Sequence, residues 1–143
     1  MSKFLNTSDK VVVNSQDLSN HAFRLDSPQV KEQVDVSGFS NTLTREFLAG
    51  LEDATITIGF LQDYGANSVH ATLYPLYQGG TPFPIYIQPD GRLGTASTNP
   101  LFGGSAILFD YNGLSGELNA RGEIEATFKP APNSLFTWGT VAP

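Results

Sequence analysis

The side chains here with the means to do chemistry are few, and their spacing limits what each can do. Glu52 and Asp53 adjoin, and Glu123 and Glu125 are separated by one residue. Carboxylates two residues apart on a strand share a face, ~7 Å apart, a pairing that could serve acid–base or glycosidase chemistry. The same spacing also describes a solvated strand face. Strict alternation around Glu123 and Glu125 favours that plainer reading. The two histidines, His21 and His70, stand in no H-x-x-x-H or H-x-H spacing, so they read as polar or helix-surface residues and not as metal ligands. Asp110 interrupts an apolar run just before Asn112-Gly113, as a residue closing a strand before a turn would. Cysteine is absent, which excludes thiol catalysis, zinc ribbons and iron–sulfur sites. No G-x-S-x-G elbow occurs, and none of the glycine pairs opens a helix as a phosphate loop must. The expectation is a protein with no catalytic residue, no cofactor and no metal.

The elements that would position these residues are mostly strands. Fourteen glycines and nine prolines separate short runs rich in Val, Ile, Phe, Tyr and Thr, the pattern of a mainly β domain. Val11 to Val13 is the first run, and Arg24 to Val36 reads as a half-exposed strand with Val30, Val34 and Val36 on one parity. Ser37 to Gly50 reads as a long loop or arm anchored by Phe39, Leu43, Phe47 and Leu48. Leu51 to Leu61 alternates cleanly: Ala54, Ile56, Ile58 and Phe60 face one way, Asp53, Thr55 and Thr57 the other. Glu117 to Lys129 repeats the pattern, with Leu118, Ala120, Ile124, Ala126 and Phe128 opposed to Asn119, Arg121, Glu123 and Glu125. A helix is expected over about 67–77, carrying Val69, Leu73 and Leu76 at i, i+4 and i+7. Asn67 or Ser68 would cap it, Gly79-Gly80 would stop it, and Pro75 would fray or kink its last turn. Phe83, Ile85 and Ile87 alternate among prolines, as in an edge strand. Ala106 to Tyr111 reads as central, and Asn112-Gly113 as the turn of a closing hairpin. No structure is assigned to the tail from Pro130. The division is a 1–10 N-terminal arm, an 11–129 β domain and a 130–143 tail.

A chain of 143 residues suits one domain, and roughly two thirds of its unfolded surface can be buried. Only 15% of residues are charged, against about a quarter in an average soluble domain. A surface so poor in charge favours self-association. The net charge of -6, with the basic residues scattered, argues against nucleic-acid binding. Met1 to Lys10 has no apolar core of a signal peptide, and the apolar runs are too short to span a bilayer, so no membrane partner is expected.

The order of these features carries a resemblance. A Val-rich strand runs into Asn14-x-x-Asp17-Leu18-Ser19-Asn20-His21. Glu32 to Ser37 leads into a Ser/Thr-rich loop. Arg45-Glu46-Phe47-Leu48-Ala49-Gly50-Leu51-Glu52-Asp53-Ala54-Thr55-Ile56 precedes a strand ending Phe60-Leu61-Gln62-Asp63-Tyr64. The helix reads Val69 to Leu76, and Gly80-Thr81-Pro82-Phe83 and a closing hairpin follow. Over roughly Lys10 to Phe128 this resembles the tail tube (major tail) proteins of long, non-contractile-tailed phages, especially those of actinobacterial hosts.

The resemblance implies a β-sandwich or partly closed β-barrel with one flanking helix. Six copies would form a ring, rings would stack into a tube, and double-stranded DNA would pass through the channel without specific binding. It also implies the virion tail as location, assembly in the bacterial cytoplasm, and tail-tip initiator, tape measure and terminator proteins as partners beside the chain itself. On that reading Asp53, Thr55, Thr57, Asn119, Glu123 and Glu125 are candidates to face an acidic lumen, with Arg121 and Lys129 on the same face as an inconsistency. Phe39, Leu43, Arg45 and Phe47 are candidates for ring stacking. A tail terminator, a head–tail joining protein or a capsid decoration protein remains an alternative. So does a carbohydrate-binding β-sandwich using Tyr74, Tyr77, Tyr86 or Trp138, although the sequence shows no aromatic platform.

Overall fold

The computed structural model describes residues 9–38, 45–91, 95 and 99–140. Its strands are β1 (Lys10–Val13), β2 (Gln16–Asp17), β3 (Ala22–Asp26), β4 (Gln29–Asp35), β5 (Phe47–Ala54), β6 (Ile56–Leu61), β7 (Phe83–Gln88), β8 (Leu101–Ser115), β9 (Glu123–Pro130) and β10 (Thr137–Gly139), with helix α1 (Val69–Gly79) between β6 and β7. Eight strands make one antiparallel sheet in the order β2-β1-β7-β8-β9-β6-β3, with β10 paired to β8. The other two, β4 and β5, pair only with each other, as a separate hairpin. The protein is mainly β and sandwich-like with one helix, and the sheet does not close into a barrel among the described residues.

Period-2 alternation builds the core. In the β6–β9 register Ile56 faces Phe128, Ile58 faces Ala126 and Phe60 faces Ile124. All six are buried, so bulky and small side chains fit across the pair. Phe83 and Ile85 from β7, Phe102, Ala106 and Leu108 from β8, and Val11 and Val13 from β1 join them. Phe83 meets Phe128 edge to face, ring centroids 5.8 Å apart. The helix covers part of this face with Val69 and Leu73 fully buried and Leu76 packed at the margin. Ser68 is its N-cap residue, and Gly80 ends it in the left-handed region with its N–H donating to the Leu76 carbonyl. Pro75 does not end the helix, which runs on to Gly79. Buried Leu73 and half-buried Leu76, on either side of it, keep that segment against the sheet.

Several elements differ from the sequence expectation, each for a local reason. Arg24 to Val36 is not one strand: Ser27-Pro28 divides it, as a proline and its predecessor tend to do. Leu51 to Leu61 is divided at Thr55, whose N–H leaves the ladder to donate to the Pro28 carbonyl at 3.2 Å. These paired breaks detach β4 and β5 from the body. The last four residues of the expected Ser37–Gly50 loop are therefore strand, since β5 begins at Phe47. Strand Glu117–Lys129 begins only at Glu123. Glu117 to Gly122 make the turn, with Asn119 at φ 64° and Leu118 93% exposed. Asn112-Gly113 is no turn, because β8 continues through it to Ser115, and Asp110 lies within the strand. Phe109 is the extra residue of a bulge between Leu108 and Asp110, which turns its ring outward. β7 is no edge strand, being paired on both sides, while Pro84 is spared a ladder bond because β1 ends at Val13, opposite Ile85. The tail adds β10 and inserts Phe136, 2% exposed, beside Phe102.

Candidate assembly surfaces

Three surfaces gather the residues that the sequence singled out, together with some that it did not. The first is the outward face of β6 and β9. Thr57 lies opposite Thr127, Gly59 opposite Glu125 and Leu61 opposite Glu123. Each charge there has an opposite partner in the same chain. Arg24 donates to Glu125 at 2.8 Å, Arg121 to Glu123 at 3.3 Å, and Lys129 sits 3.7 Å from Asp53. Arg121 is also held over the Phe23 ring, 4.1 Å from its centroid. The expected acidic stripe is thus a mixed-charge face, with Arg121 and Lys129 each beside a carboxylate. Thr55 and Asp53 stand at the entrance to β6, whereas Asn119 is displaced to the turn.

The second surface is the β4–β5 hairpin. Gln29 pairs with Ala54 at its base, Val34 with Leu48 farther out and Asp35 with Phe47 near the end, with a bulge between Lys31 and Gln33. The base is tied to the body: Trp138 Nε1 donates to Gln29 Oε1 at 3.0 Å, beside the Lys129–Asp53 pair. Beyond the base the arm is exposed, including Val30, Val34, Val36, Phe47, Leu48 and Leu51, the last at 81%. Its outer end is pinned by Ser37, whose hydroxyl accepts from the Glu46 N–H at 2.7 Å, and by Asp35, which accepts from the Ser37 N–H. That N–H, followed by the Ser37 side chain, holds the Asp35 carboxyl below its ordinary range. Arg45 lies 3.7 Å from Asp35. Phe39 and Leu43 lie outside the described residues.

The third surface was legible in the sequence only in part, through the spacing of His70, Tyr74 and Tyr77. Tyr64, His70, Tyr74, Tyr77 and Tyr111 cluster beside Gly113 and Leu114 around a shallow groove. His70, Tyr74 and Tyr77 follow i, i+4, i+7 spacing, so they form a helix stripe next to the buried Val69–Leu73 stripe. The His70 ring stacks on Tyr74 at 5.2 Å and 13°, and its Nδ1 lies 2.7 Å from the Tyr111 hydroxyl. Tyr64 donates to the Gly113 carbonyl at 2.6 Å. Burial first, and Tyr64 second, push the Tyr111 phenol up to about 12. The segment before the helix is set by Asp63, which accepts from the Gly65 N–H at 2.9 Å and from His21 at 2.9 Å. The Gly65 bond is the leading cause that keeps the Asp63 carboxyl below its ordinary range. The two histidines thus have separate partners, and no group of three metal-ligating side chains occurs among the described residues.

A sandwich-like sheet with a flanking helix and a projecting hairpin matches solved structures over nearly its whole length. A chain of the virion of a native gene transfer agent (GTA) particle matches with TM-score 0.72 and 17% identity, covering 94% of this chain and 99% of that one. A chain of the tail of an empty GTA particle with C6 symmetry matches with TM-score 0.69 and 15% identity, covering 99% and 100%. A chain of a PVC sheath/tube terminator, from an extracellular contractile injection system in its extended state, gives TM-score 0.69 and 11% identity, covering 96% and 98%. At these identities the likeness is one of fold. No family model matches the chain, and no curated protein matches it significantly.

Proposed function

We propose that this chain is a non-enzymatic structural subunit of a phage-type tail, whose copies close into hexameric rings that stack into a tail tube. The observation that carries this reading is the whole-length fold match to a chain of a C6-symmetric tail. The exposed hairpin supports it. An apolar arm clear of its own body is unfavourable in a lone monomer and useful in a polymer. Ring closure followed by stacking needs heterologous contacts, in which different patches of one chain meet. On this reading the arm, with Arg45 and Phe47, grips a subunit of the next ring; the other two stacking candidates, Phe39 and Leu43, lie outside the described residues.

The outward face of β6 and β9, with Asp53, Thr55, Thr57, Glu123 and Glu125, would line the channel. There Arg24, Arg121 and Lys129 are each engaged by a carboxylate and are not free for phosphate contacts. DNA could then slide past without being trapped by counterion release. The chain would belong to the virion tail after assembly in a bacterial cytoplasm, with an initiator, a tape measure and a terminator as further partners. A second reading, a ring-forming tail terminator, is favoured by the match to a sheath/tube terminator structure. Negative-stain electron microscopy of the concentrated protein separates the two. Hollow tubes are expected; lone rings that never stack would favour the terminator, and monomers under all conditions, also with tail-tip initiator added, would overturn both.

A further inference from the structure

The hairpin arm and the tyrosine groove lie at opposite ends of the subunit, as the strand register shows. At one end of β6, Ile56 pairs with Phe128, and β5 ends two residues earlier at Ala54, where the arm begins. At the other end Leu61 pairs with Glu123, Tyr64 follows three residues later, and Ser115 of β8 pairs with the same Glu123. Gly113 and Leu114, which wall the groove, are in that last stretch of β8. The six residues of β6 set the poles about 20 Å apart.

The two surfaces are also matched in character. The residues lining the groove carry no carboxylate, ammonium or guanidinium group. Tyr64, Tyr74 and Tyr77 are 51%, 40% and 44% exposed, and Leu114 is 78% exposed. On the arm, Val34 and Leu48 form a directly opposed pair on one side, uncharged and 42% and 60% exposed. Seven residues of β4 give the arm a reach of about 23 Å, enough to project beyond its own body. A knob at one pole and an uncharged aromatic socket at the other describe a head-to-tail contact that repeats without closing.

We infer that the occupant of the tyrosine groove is the hairpin arm of a second copy of this chain, with the Val34–Leu48 pair seated against Tyr74, Tyr77 and Leu114. This rests on the assembly reading above and names the socket for its arm. His70 and Tyr111 act beneath the contact as positioning residues: their hydrogen bond and ring stack hold Tyr74 and Tyr77 in place. Tyrosine suits such a socket, because a rigid amphipathic ring can stay solvated in the free subunit and still be apolar enough to bury.

The absence of cysteine makes the test clean. Leu48→Cys and Tyr77→Cys are introduced together, and assembled tubes are treated with a short bis-maleimide linker. A ladder of covalent dimers, trimers and longer chains is expected, and neither single variant should give one. Nitration supplies a second readout without any substitution: Tyr74 and Tyr77 should react in the dispersed protein and be protected in tubes. Tubes that form normally yet give no ladder and leave both tyrosines reactive would overturn this socket and leave the assembly reading standing. So would a groove that still binds an oligosaccharide saturably in intact tubes, since the socket would then be empty of protein. Failure of the unmodified chain to form rings or tubes under any condition would overturn the assembly reading, and this inference with it.

Discussion

The β6–β9 pair and the β4–β5 pair use similar residues to opposite ends. Both are antiparallel, and both mix branched apolar side chains with charged ones. In β6–β9 the apolar face belongs to the core cluster, with Phe83 of β7 edge-on against Phe128, so Ile56, Ile58, Phe60, Ile124 and Phe128 are fully buried. In β4–β5 Val30, Val34 and Leu48 stay 61%, 42% and 60% exposed. The difference teaches that alternation fixes which residues share a face and says nothing about what covers it. One pair stabilises the subunit, and the other is available to a partner.

That contrast can be broken by substitution. The largest effect on stability is expected from Phe128→Ala in β9. Emptying a fully buried ring site costs about 3–5 kcal/mol, and urea unfolding followed by tryptophan fluorescence should show the midpoint collapse. A midpoint close to the unmodified chain's would mean that the sheet's inner face is not the core.

Tyr111→Phe comes next. It removes the hydroxyl partner of His70, worth about 1 kcal/mol for a half-buried bond. It also alters the pH profile. The folded state favours the neutral phenol, so the contribution is complete below the unfolded value near 10 and is lost as pH rises toward about 12. Urea midpoints measured from pH 9 to 12, about the unfolded phenol value, should fall less steeply in the variant. Parallel curves would show that Tyr111 is not the group responsible.

Glu125→Gln separates the mixed-charge face from the core. Its partner Arg24 and the carboxylate itself are both about half exposed. Solvent screening leaves a change of about 0.5 kcal/mol or less, and calorimetry should find the melting temperature nearly unmoved. A large drop would mean that the ion pair anchors β3 to the sheet.

Leu48→Ser should have the smallest effect on the isolated subunit, within about 0.5 kcal/mol for an exposed site. It should nevertheless abolish tubes under the microscope. A variant that unfolds easily, or one that still polymerises, would contradict the division of labour between the two strand pairs.

Much of the body was legible because its elements obey local periodicities. The inward set Ala54, Ile56, Ile58 and Phe60, the helix stripe Val69, Leu73 and Leu76, and the helix stop at Gly79-Gly80 all follow from spacing alone. The breaks were harder to read. Pro28 marks one of them, but Thr55 looks like any strand residue, and only its bond to the Pro28 carbonyl turns the chain. Asn119 alternates correctly with Arg121 and Glu123, yet its positive φ puts it in a turn, a conformation Asn tolerates and the pattern does not reveal.

What the sequence determined by itself was the class of protein: mainly β, one helix, poor in charge and without catalytic spacing. Its local rules of period, cap and breaker need no knowledge of distant partners. The tertiary structure alone decided which faces stay open. His70, Tyr74 and Tyr77 share a helix stripe that spacing could have shown. Tyr64 and Tyr111 reach them from the end of β6 and from β8, 47 residues apart along the chain, and only the folding of α1 onto the sheet brings the five rings together. The same folding sends the β4–β5 arm out at the opposite pole, because paired breaks at Pro28 and Thr55 release it from the sheet there.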